Sequence, residues 1–99
     1  LRVARMLAVA HGMAALLDAG RVPNAAELAQ RLGFSRARVS QLLDLTLLAP
    51  AIQAELLALT TETGRDPIAE RDLRPVLRHR CWADQQTAFD DLARDAGLR

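Results

Sequence analysis

Between Asn24 and Asp44 the chain reads NAAELAQRLGFSRARVSQLLD, two short amphipathic runs separated by Gly-Phe-Ser. This spacing constrains the fold more than any other feature. Two helices that cross through a tight turn need a small residue where they approach, and Ala29 supplies it. Four residues on, Gly33 stands where the turn requires a positive φ that a side chain resists. Leu28, Leu32, Phe34, Val39 and Leu42 fall at the inward sites of such a unit, and Arg36, Ala37, Ser40, Gln41 and Asp44 at the outward sites of its second helix. Asn24 and Ser35 are good N-caps for the two helices, with Glu27 placed to complete a capping-box-like arrangement with Asn24. The segment reads as a helix-turn-helix.

The flanking sequence extends the helical pattern. Val3, Met6, Leu7, Ala10, Ala14 and Leu17 recur at three-and-four spacing, predicting a helix over 2–19 that stops at Gly20. Pro50 suits the first position of a further helix whose apolar side is Ile52, Leu56, Leu57 and Leu59. Thr60 to Pro67 is polar, holds Gly64 and reads as a loop or hinge. Residues 68–79 read as helical with Ile68, Leu73, Val76 and Leu77 apolar, and Pro75 predicts a kink or two short turns there. A last amphipathic helix over 82–96 carries Trp82, Phe89 and Leu92 on one side, with Gly97 beyond its end. The expected fold is all-α, a compact domain of about five or six helices built around the helix-turn-helix. Its expected organisation is a helical core over 1–60, with the motif at 24–44, and a helical C-terminal extension over 61–99.

Composition agrees and excludes several classes. Ala and Leu supply most of the 51% apolar content, while β-branched and aromatic residues are scarce, which favours helices over strands. No apolar run approaches a membrane span and no signal-peptide pattern is present, so neither a membrane nor a secreted role is expected. The single Cys81 cannot form an internal disulfide, which fits a reducing cytoplasm. Leu1 is not an initiator Met, leaving room for residues upstream. His79 and Cys81 stand two apart, but no second pair completes a tetrahedral metal set, and His11 has no Cys or Ser near it in sequence. No metal, cofactor, catalytic site or small-molecule substrate is expected.

The net charge of +1 is low for a nucleic-acid binder, but it is unevenly placed. Residues 1–48 hold six Arg against three acids, and residues 49–99 seven Arg against nine. Within the second half, residues 65–80 carry five Arg against three acids, a second possible basic patch.

In a helix-turn-helix the second helix enters the DNA major groove. Arg36 is the candidate for direct readout, because a guanidinium pairs bidentately with guanine O6 and N7; Gln41 can pair likewise with adenine, and Ser40 is a less discriminating donor and acceptor. Ala37 suits a thymine methyl. Arg38, toward the flank, suits phosphate, as do the amides capped by Ser35, and Arg31 and Arg21 near the first motif helix. Each has a plainer reading: Arg36 and Arg38 as solvated charges, Ser35 as a cap first, Gln41 as bare surface. Asp44 either repels phosphate or accepts from cytosine N4. Trp82 and Phe89 read as core or interface anchors.

The run from Ala29 through Pro50, A-x-x-x-G-F-S-R-A-R-V-S-Q-L-L-D-L-x-L-L-A-P, resembles the central DNA-binding domain of the ParB/KorB partition and repressor proteins. The resemblance implies that Ser35, Arg36 and Ser40 belong to a DNA-facing helix and Val39, Leu42, Leu45 and Leu47 to its packing side. Ile52-Gln53-Ala54-Glu55-Leu56 looks like that family's next helix. No segment resembles the family's Arg-rich nucleotide-binding motif, so no CTP chemistry or sliding clamp is expected. The tail, with Glu70-Arg71-Asp72-Leu73-Arg74-Pro75 and Trp82, looks similar to short helix-turn-helix proteins of phage and mobile elements. The expectation is a sequence-specific double-stranded DNA-binding protein, a transcriptional regulator or a mobile-element or partition accessory factor. Residues 35–45 would form its recognition helix, and it would act as a homodimer or with a partner protein. The rival is a protein-interaction module that uses the same scaffold without binding DNA.

Overall fold

A computed structural model describes residues 2–63 and 67–99, with the side chains of 2 and 60–63 left aside. The described residues form six α-helices and no strand: α1 (Arg2–Asp18), α2 (Ala25–Leu32), α3 (Arg36–Asp44), α4 (Pro50–Thr63), α5 (Glu70–Leu77) and α6 (Trp82–Asp95), with a single 3-10 turn at Leu45–Leu47. The fold is all-α. The chain divides into two units, Met6–Leu47 and Leu48–Arg99, the latter joined by the start of α1 through Arg5.

In the first unit, α1 buries Leu7, Ala10 and Met13, while Met6, Ala14 and Leu17 are half-buried. Its end is a glycine cap. Gly20 takes φ +72°, and the N–H of Arg21 donates to Leu16 O at 3.1 Å, occupying a terminal carbonyl. The connector that follows is not merely a spacer, because Val22 is 4% exposed and joins the core. Asn24 Oδ1 then accepts from Glu27 N–H at 2.8 Å and starts α2. Only half of the capping box forms: Glu27 directs its carboxylate to Arg31 Nη2 at 2.8 Å. The last hydroxyl of the unit, Thr46 Oγ1, donates to Leu43 O at 2.7 Å within the 3-10 turn.

In the second unit, α4 begins at Pro50 and buries Ile52 and Leu56. Leu57, expected on this side, is instead exposed, since it is rotated about 100° from Leu56. The segment expected as a loop from Thr60 is helical through Thr63; residues 64–66, including Gly64, lie outside the described residues. Helix α5 packs against α6 and buries Leu73 and Val76. Asp72 Oδ2 accepts from Ala69 N–H at 2.9 Å, fixing the start of α5. Pro75 does not split the segment into two turns: α5 is one helix with the proline inside it, closed by Arg78 N–H to Pro75 O and His79 N–H to Val76 O. The buried stripe of α6 is Gln85, Phe89 and Ala93, and its end is a second glycine cap, with Leu98 N–H donating to Ala93 O at 2.8 Å. Trp82, expected on this stripe as an anchor, is 58% exposed. It occupies the first residue of α6, one turn ahead of Gln85.

One buried polar residue joins three elements of this unit. Gln85, 2% exposed, accepts from Ala49 N–H at 2.7 Å through Oε1 and donates to His79 O at 3.0 Å through Nε2. It satisfies the backbone just ahead of α4 and the carbonyl in the α5–α6 connector at once.

Candidate nucleic-acid interface

Helices α2 and α3 pack on each other through the turn 33–35. Gly33 adopts φ +75°, and Phe34 N–H donates to Ala29 O at 3.0 Å. A Cβ at Gly33 would meet nothing within 4 Å, so it is the backbone angle, not space, that calls for glycine. Ala29, Leu28, Val39 and Leu42 are buried as expected. Leu32 and Phe34 are not: they are 44% and 41% exposed. Leu32 is the last residue of an eight-residue helix, one turn beyond Leu28, and no element covers it fully there. Phe34 lies in the turn outside both helices.

Ser35 caps α3 by accepting from Arg38 N–H at 3.0 Å, while Ser35 O accepts from Val39 N–H. The N–H groups of Arg36 and Ala37 are left at the open end of the helix, where its dipole favours an anion. Arg36, Ala37, Ser40, Gln41 and Asp44 are all exposed and span an arc of about 140° at 100° per residue. Val39 and Leu42 lie on the opposite side. Four of the five are therefore sequence-predicted contact residues presented on one face.

The remaining candidates differ. Arg38 is half-buried; its Nη1 donates to Gln41 Oε1 at 3.3 Å and its Nη2 lies 3.9 Å from Met6 Sδ on α1. It steadies Gln41 as well as carrying charge. Arg31 is exposed but held by Glu27, which offsets its charge. Arg21 is exposed in the connector between α1 and α2. Arg36 has no hydrogen-bond or ion-pair partner among the described residues. This leaves it open to a ligand. The unit Met6–Leu47 holds four Arg against three acids, a smaller excess than the half-chain count, because Arg2 and Arg5 belong to the other unit.

Outside the motif, His79, Asp84, Thr87, Ala88 and Asp91 line an open surface groove of about 310 Å³. Among the described residues no group of three or more His, Cys, Asp or Glu side chains is placed to hold a metal ion. Cys81 is a free, exposed thiol. No single helix among the described residues is long and apolar enough to cross a membrane. Sequence reasoning missed Gln85 and Val22; the first carries no periodic signal that marks a polar residue as buried, and the second sits between Gly20 and Pro23 in what reads as a turn.

Comparison with protein-family models, curated protein sequences and solved structures gave no match.

Proposed function

We propose that this chain binds double-stranded DNA at specific sequences, with α3 as the helix that enters the major groove. The observation that carries the reading is the exposed face of α3, with Arg36 unpaired at its N-terminal end and Ser40 and Gln41 one turn on. The helix that bears these groups is fixed by a serine cap and a glycine turn, so ordering it on DNA costs little. Arg36 reads guanine, Gln41 reads adenine or supports a neighbouring contact, and the open amides of Arg36 and Ala37 take a phosphate. The likeness of residues 29–50 to the ParB/KorB DNA-binding domain supports the same assignment.

The test is selection of bound duplexes from a random pool, followed by titration of variants on the recovered site. Arg36→Ala is expected to weaken that site by about 1–3 kcal/mol and to relax one base position. Arg38→Ala is expected to weaken all sequences alike, since it removes a phosphate-facing charge. Absence of any duplex binding at low salt would overturn the reading. One observation favours a second reading: Leu32 and Phe34 form an exposed apolar pair at the turn, as a protein-docking scaffold would present. On that reading Leu32→Ser and Phe34→Ser abolish partner capture, and DNA affinity is nil.

A further inference from the structure

Residues 78–82, Arg-His-Arg-Cys-Trp, connect α5 to α6, and all five are exposed. Arg78 and Arg80 have no ion-pair or hydrogen-bond partner for their guanidinium groups among the described residues. In the same unit, Arg74, Arg94 and Arg99 are each held by a carboxylate. Arg71, on the exposed side of α5 opposite buried Leu73 and Val76 and two turns before Arg78, extends the charge.

The connector is held rather than loose. Its backbone is closed by the Arg78 and His79 N–H bonds, by Gln85 Nε2 on His79 O, and by Gln85 N–H on Cys81 O at 3.0 Å. The buried Gln85 thus anchors the backbone that carries the exposed Arg78, Arg80 and Trp82. His79 lines the surface groove with Asp84 and Asp91.

We propose that this connector is a second DNA-contacting element, Arg78 and Arg80 gripping phosphodiesters while the Trp82 indole lies along the sugar–phosphate edge. The proposal rests on the DNA-binding reading of α3 and extends it to a separate unit of the chain. Guanidinium forks match phosphate oxygens, and an indole offers both a flat face and an N–H donor beside them. A flat anionic membrane suits the patch less well. Within residues 70–99, Trp82 is the one large apolar side chain that is exposed, so no second one is there to insert with it.

Trp82 is the only tryptophan and the chain has no tyrosine, so its fluorescence reports on this connector alone. The experiment measures acrylamide quenching of Trp82 without DNA, with the duplex recovered by selection, with a random duplex, and with phosphatidylserine vesicles. It also measures the salt dependence of duplex binding for the native chain and for Arg78→Gln/Arg80→Gln. From an indole 58% exposed, the quenching constant is expected to fall roughly twofold on duplex binding. The double variant is expected to lower the slope of log K against log salt by about 1.8, two phosphates at about 0.9 each. If the native chain binds duplex but Trp82 stays equally accessible, or the slope is unchanged, this proposal is overturned and the α3 reading stands. Protection by vesicles and not by duplex assigns the patch to lipid and overturns it likewise. If the native chain binds no duplex at low salt, both readings fall together.

Discussion

Gln85→Leu tests whether the second unit is organised by a polar side chain in its interior. Leucine nearly preserves the volume, so the change removes hydrogen bonds without opening a large cavity. At least two groups lose a partner. The Ala49 N–H, on a residue 5% exposed and bonded at 2.7 Å, has no route to water, and leaving it unsatisfied costs about 1–3 kcal/mol. His79 O lies in an exposed connector where water can replace Nε2, so its loss costs about 0.5–1.5 kcal/mol. Together these predict a destabilisation of about 2–4 kcal/mol, a large part of the roughly 5–15 kcal/mol that holds a domain together. In a chain of this length that lowers Tm by roughly 10–25 °C. Urea unfolding followed by far-ultraviolet circular dichroism and by Trp82 fluorescence measures it. The neighbour Gln86, whose side chain bonds among the described residues to Asp90 on its own helix, is the control: Gln86→Leu should change stability by less than about 0.5 kcal/mol. Gln85→Glu adds a sign. A neutral carboxyl can still accept from Ala49 and donate to His79, whereas the ionised form loses the donor and buries a charge. Its folded pKa is therefore raised, the folded state holds a proton the unfolded state has released, and stability falls as pH rises above the ordinary Glu value of about 4.3. A Gln85→Leu variant as stable as the Gln86→Leu control would refute the argument.

Two further predictions concern single contacts. Ser35→Ala, which removes the acceptor for Arg38 N–H at the start of α3, is expected to cost about 1 kcal/mol in urea unfolding, with Ser35→Asp restoring most of it. At the other end of the chain, hydrogen bonds from Arg99 and then Gln86 hold the Asp90 carboxyl below its ordinary range. Arg99→Met should move the Asp90 pKa upward in an NMR titration. Because the folded value is the depressed one, the contribution of this contact is present above the ordinary carboxylate pKa and lost as pH falls through the folded value.

Most of the helical order was legible in the sequence because its signals are local. Asn24, Ser35 and Pro50 mark helix starts, and Gly20, Gly33 and Gly97 mark stops at positive φ, each a property of one residue and its near neighbours. The buried faces were legible in azimuth but not in extent. Leu32 shares a stripe with Leu28, and Trp82 shares one with Gln85 and Phe89, yet both are exposed because each occupies the terminal residue of its helix. A period of 3.6 residues states which way a side chain points, and nothing about whether a neighbouring element reaches that far along the axis. The same reason hid Gln85. It falls on an apolar stripe as a polar exception, and its partners, Ala49 and His79, lie 36 and six residues away.

If the proposed DNA binding holds, the distribution of charge limits how the chain can grip a duplex. Within Met6–Leu47, Arg31 is offset by Glu27, and Arg38 is shared with Gln41, so Arg21 and Arg36 are the exposed cations not committed to another side chain. Two or three phosphate contacts give a slope of only about −2 to −3 in log K against log salt, far below that of a strongly basic binder. Affinity at physiological salt then has to come from base contacts along α3 or from cations outside the motif. The unit Leu48–Arg99 supplies candidates for the second source in Arg71, Arg78 and Arg80, none of them paired among the described residues. On the DNA-binding reading, a steep slope measured for the native chain would therefore be evidence that the motif does not act alone. A shallow slope combined with high specificity would place the whole of recognition on Arg36, Ser40 and Gln41.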